Sequence, residues 1–152
     1  MDEKLTVLIP TKNRYQWIER VLTYYNLRKI KFKIIIADSS DYKIFLKNKN
    51  NIFNYNKLNI KHYYYPNLNI ENALKRAARH IKTKYSVFFA DDDMLLPSGL
   101  REAIKIFDKD NGKIIAVTGK AKLISIKNSN SFGKIIGLHN YKIRSFMNDN
   151  NK

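Results

Sequence analysis

The apolar positions of this chain follow two rhythms, and the rhythms alternate. "LTVLI" (5–9) is a short β-rich run stopped by Pro10, which predicts a buried strand. In "TKNRYQWIERVLTYYNL" the residues Trp17, Ile18, Val21, Leu22 and Tyr25 recur at three- and four-residue spacing, predicting an amphipathic helix from about Asn13. "FKIIIAD" (32–38) is a second strand ending in a carboxylate, and "SSDYKIFLKNKN" a shorter helix capped by Ser40 or Asp41. "IKHYYYP" (60–66) alternates as a strand does. "NIENALKRAARHIKT" (69–83) places Ile70, Ala73, Leu74, Ala77, Ala78 and Ile81 on one helical face. "YSVFFA" follows as a strand and "PSGLREAIKIFDKD" (97–110) as a helix with proline in its first turn. "KIIAVTG" (113–119) predicts a fifth strand, with "KLISIK" (122–127) as a partner for it.

Strands alternating with helices imply an α/β fold: three α/β/α layers around a mostly parallel, Rossmann-like sheet. Ligands of such sheets sit beyond the carboxyl ends of the strands. Three of those ends carry polar groups here, namely Pro10-Thr11, Asp38, and the run Asp91, Asp92 and Asp93. Residues 1–128 are expected to form this one domain. Residues 129–152, Asn-rich around a short "KIIGL" run, read as a loop with at most one strand and a polar tail. There is no repeat.

Composition narrows the function classes. With 44% hydrophobic and 28% charged residues the 152-residue chain is globular rather than disordered. It has no cysteine, which excludes disulfides and thiolate metal sites. No apolar run approaches the roughly 20 residues of a membrane span, and "MDEKLTVLIPTKNR" starts acidic, unlike a signal peptide. A cytoplasmic location is the expectation. The net charge of +16 is spread along the chain. It suits an anionic partner such as nucleic acid, a membrane face or a phosphorylated small molecule, and equally a plain solvated surface.

Acid is scarce, 13 Asp+Glu against 29 Lys+Arg, yet three aspartates stand side by side. Each raises the cost of ionising its neighbours. The N-terminus of the following helix accounts for one or two of them. A hard divalent cation such as Mg²⁺ or Mn²⁺, held by carboxylates together with substrate phosphates, accounts for the set.

"LTVLIPTKNR", "IIIADSSD" and "NALKRAARHIKTKYSVFFADDDMLLPSGL", in that order, resemble the nucleotide-binding half of the family 2 glycosyltransferases, which have a GT-A fold. The resemblance runs over about residues 4–118. It implies that Pro10 and Thr11 lie along the nucleotide, that Arg14 reaches its phosphates or caps the site, and that Asp38 accepts a hydrogen bond from the base, usually uracil. Asp92 matches the metal-coordinating position of the DxD-type motif. Asp91 matches the contact to ribose or a metal-bound water, and Asp93 supports the site or faces the acceptor. Many relatives have Asp where this chain has Ala90, so the motif is shifted to "ADDD".

The implied reaction is an inverting transfer from a nucleotide diphosphate sugar, UDP-linked, to a hydroxyl on a saccharide or lipid-linked acceptor. Mn²⁺ or Mg²⁺ is the cofactor, and the basic surface rests against the inner face of a membrane. The general base of this family lies beyond the metal motif. Here the acid found there is Asp149, in the Asn-rich terminus, which does not suit the role. The base is therefore unidentified, and the chain reads as a donor-binding half without a complete acceptor half. Lys75, Arg76 and Arg79 suit a solvated helix face better than a diphosphate, and His62, His80 and His139 lack ligand spacing. Two other readings compete: a catalytically silent nucleotide-sugar domain or fragment needing a partner chain, and a basic nucleic-acid protein stacking bases on residues 63–65 and 88–89. The last lacks any recognition motif, and Phe88 and Phe89 are expected in the core.

Overall fold

The computed structural model of the protein describes residues 2–110, 112–128 and 131–139. The chain divides after Lys113 into two compact units. In the first, strands β1 (Leu5–Thr11), β2 (Lys33–Asp38), β3 (Asn59–Tyr64) and β4 (Tyr85–Phe88) form one parallel sheet in the order β3-β2-β1-β4. Helices α1 (Tyr15–Leu27), α2 (Tyr42–Ile52) and α3 (Ile70–Ala78) connect them, and α4 (Pro97–Lys109) follows β4. The predicted α/β architecture with a mostly parallel sheet is the observed one.

The two central strands are apolar throughout because both of their faces are covered. Val7 and Ile9 of β1, with Ile34 and Ile36 of β2, pack against Ile18, Val21, Leu22 and Tyr25 of α1 and Ile104 of α4. Leu8, Ile35 and Ala37 point the other way, onto Ala73 and Ala77 of α3. Small residues on that helix face let it lie close to the strands. Its start is fixed by Asn69, whose side chain accepts from the Asn72 N–H at 2.9 Å.

Pro10 sits inside a central strand, where a missing N–H normally breaks a ladder. Here the loss is harmless. Leu8 and Pro10 share the side of β1 that faces β4, the C=O of Leu8 accepts from the Phe89 N–H at 3.0 Å, and the β1–β4 register stops at Leu8 and Phe88. On the β2 side the pairing continues to Thr11 and Asp38. β1 and β4 therefore part just where the connections reverse direction, which opens a crevice at a topological switch point.

Four expectations change. Asp41 occupies the N-cap position of α2 but its side chain makes no capping bond, because the carboxylate accepts from Asn13 Nδ2 at 3.1 Å instead. Phe88 is 57% exposed rather than in the core, since β4 is an edge strand, while Phe89 packs on the core. Residues 113–120 form no strand. In the second unit β5 (Ala121–Asn128) takes its partner from β6 (Ser131–His139), in an antiparallel pair that satisfies its ladder without them. That pair spans position 128, where the sequence reading ends the nucleotide-binding domain, and "KIIGL" lies in β6. A Cβ at Gly133 would meet Ser125 Oγ at 2.1 Å, which a rotation relieves, and the Ser125 carbonyl oxygen at 2.9 Å, which it does not, so glycine suits this close approach. The polar tail and Asp149 lie outside the described residues. No helix among the described residues is long and apolar enough to cross a membrane.

Candidate functional site

The loop after β4 turns back toward the end of β1. Thr11, 2% exposed, donates from Oγ1 to Asp91 Oδ2 at 2.7 Å, and Asp91 is itself 4% exposed. Across the crevice Arg14, at the entrance to α1, forks between two carboxylates. Its Nη1 lies 3.3 Å from Asp91 Oδ1, and its Nη2 donates to Asp92 Oδ2 at 2.9 Å. Asp92 keeps 40% of its side chain exposed, so it faces the opening, and Asp93 is exposed beside it. Thr11, Arg14, Asp91 and Asp92 thus form one connected cluster beyond the ends of β1 and β4.

Burial pushes the Asp91 carboxyl above the ordinary range, against the Thr11 bond and the Arg14 charge that pull it down. Asp93 is raised as well, first by burial and then by the negative charge of Asp92, with Arg20 opposing. Asp91 and Asp93 are thus ionised only against resistance. Such a site gains from added positive charge.

Asp38, at the end of β2, is placed differently. It is fully buried and its oxygens are engaged: Oδ1 accepts from the Ser40 N–H at 2.9 Å, and Oδ2 takes Asn48 Nδ2 at 2.8 Å and His62 Nε2 at 2.9 Å. Burial opposes its charge, yet the bonds from His62, Ser40 and Asn48 together hold its carboxyl below the ordinary range. Thr11 and Asp38 are register partners, but Asp38 does not open into the crevice as Asp92 does.

The 39–41 turn is stitched to the β1–α1 loop. Asn13, held at φ 57°, donates its N–H to Ser40 Oγ at 2.8 Å, and its Oδ1 accepts from the Asp41 N–H at 2.8 Å. The left-handed conformation suits asparagine better than most residues. The connections that follow β1 and β2 are thereby fastened together.

Sequence reasoning missed several of these partners. Arg20 donates to the carbonyl of Asp92, and its guanidinium lies 4.3 Å from the Trp17 ring centre, with Arg14 5.0 Å from the same ring. The i, i+3 and i, i+6 spacing of Arg14, Trp17 and Arg20 on a helix entrance was the available signal. His62, read as incidental, is a partner of Asp38; in β3 it stands two residues before Tyr64, which is paired with Asp38. His80 stacks on Tyr63 with ring centres 4.0 Å apart, and His139 lies in β6. Lys75 pairs with Glu71 at 3.3 Å on an exposed helix face, and Arg76 and Arg79 are exposed too.

Among the described residues, no group of three or more His, Asp or Glu side chains is arranged to hold a metal ion by itself. The donors present nevertheless fit a hard divalent ion of the Mg²⁺ or Mn²⁺ kind. Such an ion takes one or two carboxylates from the protein and completes its shell with phosphates and water. Asp92, with 40% of its side chain exposed, offers hard oxygens there, and Asp91 stands buried behind it.

A parallel α/β sheet with carboxylates gathered at its switch point belongs to the class of folds whose ligands sit beyond the carboxyl ends of the strands. The comparison with protein families goes further: residues 6–151 match Glycosyl transferase family 2, and the chain belongs to that family. Among solved structures it is similar to residues 1–349 of TarS from S. aureus, with 20% identity and TM-score 0.58, over 70% of this chain and 33% of that one. The same TarS fragment in complex with UDP matches at 21% identity and TM-score 0.57, over 70% and 32% of the two chains. Longer TarS matches at 21% identity and TM-score 0.55, over 69% and 19%. The chain therefore spans about a third of the TarS fragment it matches, and the likeness is one of fold. No protein of curated function matches by sequence.

Proposed function

We propose that this chain is the donor-binding part of a metal-dependent glycosyltransferase that moves a sugar from a nucleotide diphosphate, UDP, to a hydroxyl acceptor with inversion. The observation that carries the reading is the Thr11–Asp91 bond, which fastens the acidic tip at the mouth of the crevice between β1 and β4. Family membership and the UDP complex of a similar fold support it.

In this reading Pro10 and Thr11 form the floor along the nucleotide. Asp38 accepts the ring N–H of the base through the remaining lone pair of Oδ1, once the 39–41 turn shifts. Asp91 contacts the ribose or an ion-bound water, Asp93 supports the tip or faces the acceptor, and Asp92 holds Mn²⁺ or Mg²⁺. The ion, when bound, neutralises the diphosphate and stabilises charge on the leaving group. Arg14 supplies a forked donor for a phosphate oxygen. The general base that deprotonates the acceptor is not among the residues assigned here. The acceptor is a saccharide or a lipid-linked sugar, and the protein works in the cytoplasm against the inner membrane face.

A second reading shares the donor site but not the turnover: a silent nucleotide-sugar domain, or a part that relies on another chain for the base. A thermal-shift experiment tests the shared site. UDP with Mn²⁺ is expected to raise the Tm of the wild type and not of Asp92→Ala; no shift with any nucleoside diphosphate rejects both readings. Product formation from a panel of donors separates enzyme from silent domain.

A further inference from the structure

We propose that Arg14 is a displaceable counter-ion, which holds the acidic tip closed without ligand and is handed to the donor diphosphate when a cation takes its place. The inference rests on the donor-site reading above and adds a direction of coupling to it. Arg14 spans the two carboxylates with one planar group, Nη1 toward Asp91 Oδ1 at 3.3 Å and Nη2 to Asp92 Oδ2 at 2.9 Å. Those oxygens are the ones a hard cation uses. A guanidinium and a divalent ion cannot both occupy them, so Arg14 must leave before the ion is held.

The surroundings give Arg14 somewhere to go. Its side chain is 40% exposed, unlike that of Asp91 at 5%, and it lies over the Trp17 ring at 5.0 Å. The indole face is a surface on which a guanidinium turns without losing its cation–π contact. Arg20 remains on the same ring and on the Asp92 carbonyl, so the tip stays anchored while Arg14 moves.

Two consequences follow. Without nucleotide, Arg14 competes with the cation and weakens its binding. With nucleotide, the diphosphate accepts the freed guanidinium, so cation and nucleotide strengthen each other by the same factor.

Removing the charge at residue 14 separates these effects. Mn²⁺ binding is followed by the electron paramagnetic resonance of the free ion, with and without UDP, on the wild type, Arg14→Gln, Arg14→Met and Asp92→Asn. Arg14→Met keeps an apolar stem on Trp17 in case the glutamine variant folds poorly. The wild type is expected to bind Mn²⁺ weakly alone and roughly tenfold tighter with UDP. Both Arg14 variants are expected to bind Mn²⁺ alone roughly tenfold tighter than the wild type and to lose most of the gain from UDP. Variants that bind Mn²⁺ alone no tighter than the wild type, or keep the full gain from UDP, overturn the inference while leaving the donor site in place. If the wild type binds no Mn²⁺ even with UDP, and Asp92→Asn behaves identically, the donor-site reading fails and the inference with it.

Discussion

Two buried aspartates follow the strands on either side of β1, and they are pushed in opposite directions. Asp38, after β2, is surrounded by donors and held below the ordinary carboxylate range. Asp91, after β4, is raised by burial, with one hydroxyl and one shared guanidinium to oppose it. Both are nearly inaccessible to water. What differs is whether the protein itself completes the carboxylate's surroundings. Where it does, the charge contributes to folding; where it does so less fully, burial works against the charge.

The largest effect is expected at Asp38. Asp38→Ala strands the Ser40 N–H, Asn48 and His62 in a buried space and should destabilise by about 3 kcal/mol, read as a lower denaturation midpoint. Asp38→Asn should cost about half as much, because Asn48 can turn its carbonyl toward the new amide and reuse the space. The pH dependence follows from the sign of the shift. A depressed folded pKa means that stability is present above the ordinary carboxylate range, about pH 4, and is lost as pH falls through the folded value. Between pH 5 and pH 3, roughly, the wild type should lose more stability than Asp38→Asn. Equal losses would show that Asp38 is not the cluster's charged member.

At Asp91 the expectation reverses. Neutralising a carboxylate that burial disfavours removes a penalty, so Asp91→Asn should change stability by less than about 1 kcal/mol in either direction. The same variant should abolish the Tm increase produced by UDP with Mn²⁺. A large loss of stability would make Asp91 a structural partner of Thr11 and Arg14 and erase the contrast with Asp38.

Much of this contrast was legible in the residues, and part was not. The parallel sheet and its helices follow from apolar periodicity, since each central strand is covered on both faces and each helix on one. The order of the polar strand ends placed Thr11, Asp38 and Asp91 on one edge. Their environments were hidden because they depend on side chains distant in sequence. Asn48 reaches Asp38 from α2 and His62 reaches it from β3, and neither has a local signature. Arg20 lies on a helix whose spacing marks only the buried face. The error at 113–120 has another origin: an apolar β-prone run becomes a strand only if a sheet edge accepts it, and β5 pairs instead with β6.

The smallest effect tests the link between the two regions. Asn13 fastens the β1–α1 loop, which carries Arg14, to the turn that closes over Asp38. Asn13→Gly keeps the left-handed backbone available and removes only the side-chain bonds to Asp41. These bonds are exposed, so the loss should be about 1 kcal/mol or less. If the link matters only for folding, UDP affinity will fall no further than this small change implies. If the two connections must be held in register for the base and the diphosphate to be gripped together, the affinity should fall several-fold while the Mn²⁺ affinity of the tip is unchanged. Asn13→Ala should be worse than Asn13→Gly by roughly 1 kcal/mol, because alanine resists the φ of 57°. The difference between the two variants measures the backbone contribution, and what remains in the glycine variant measures the bridge.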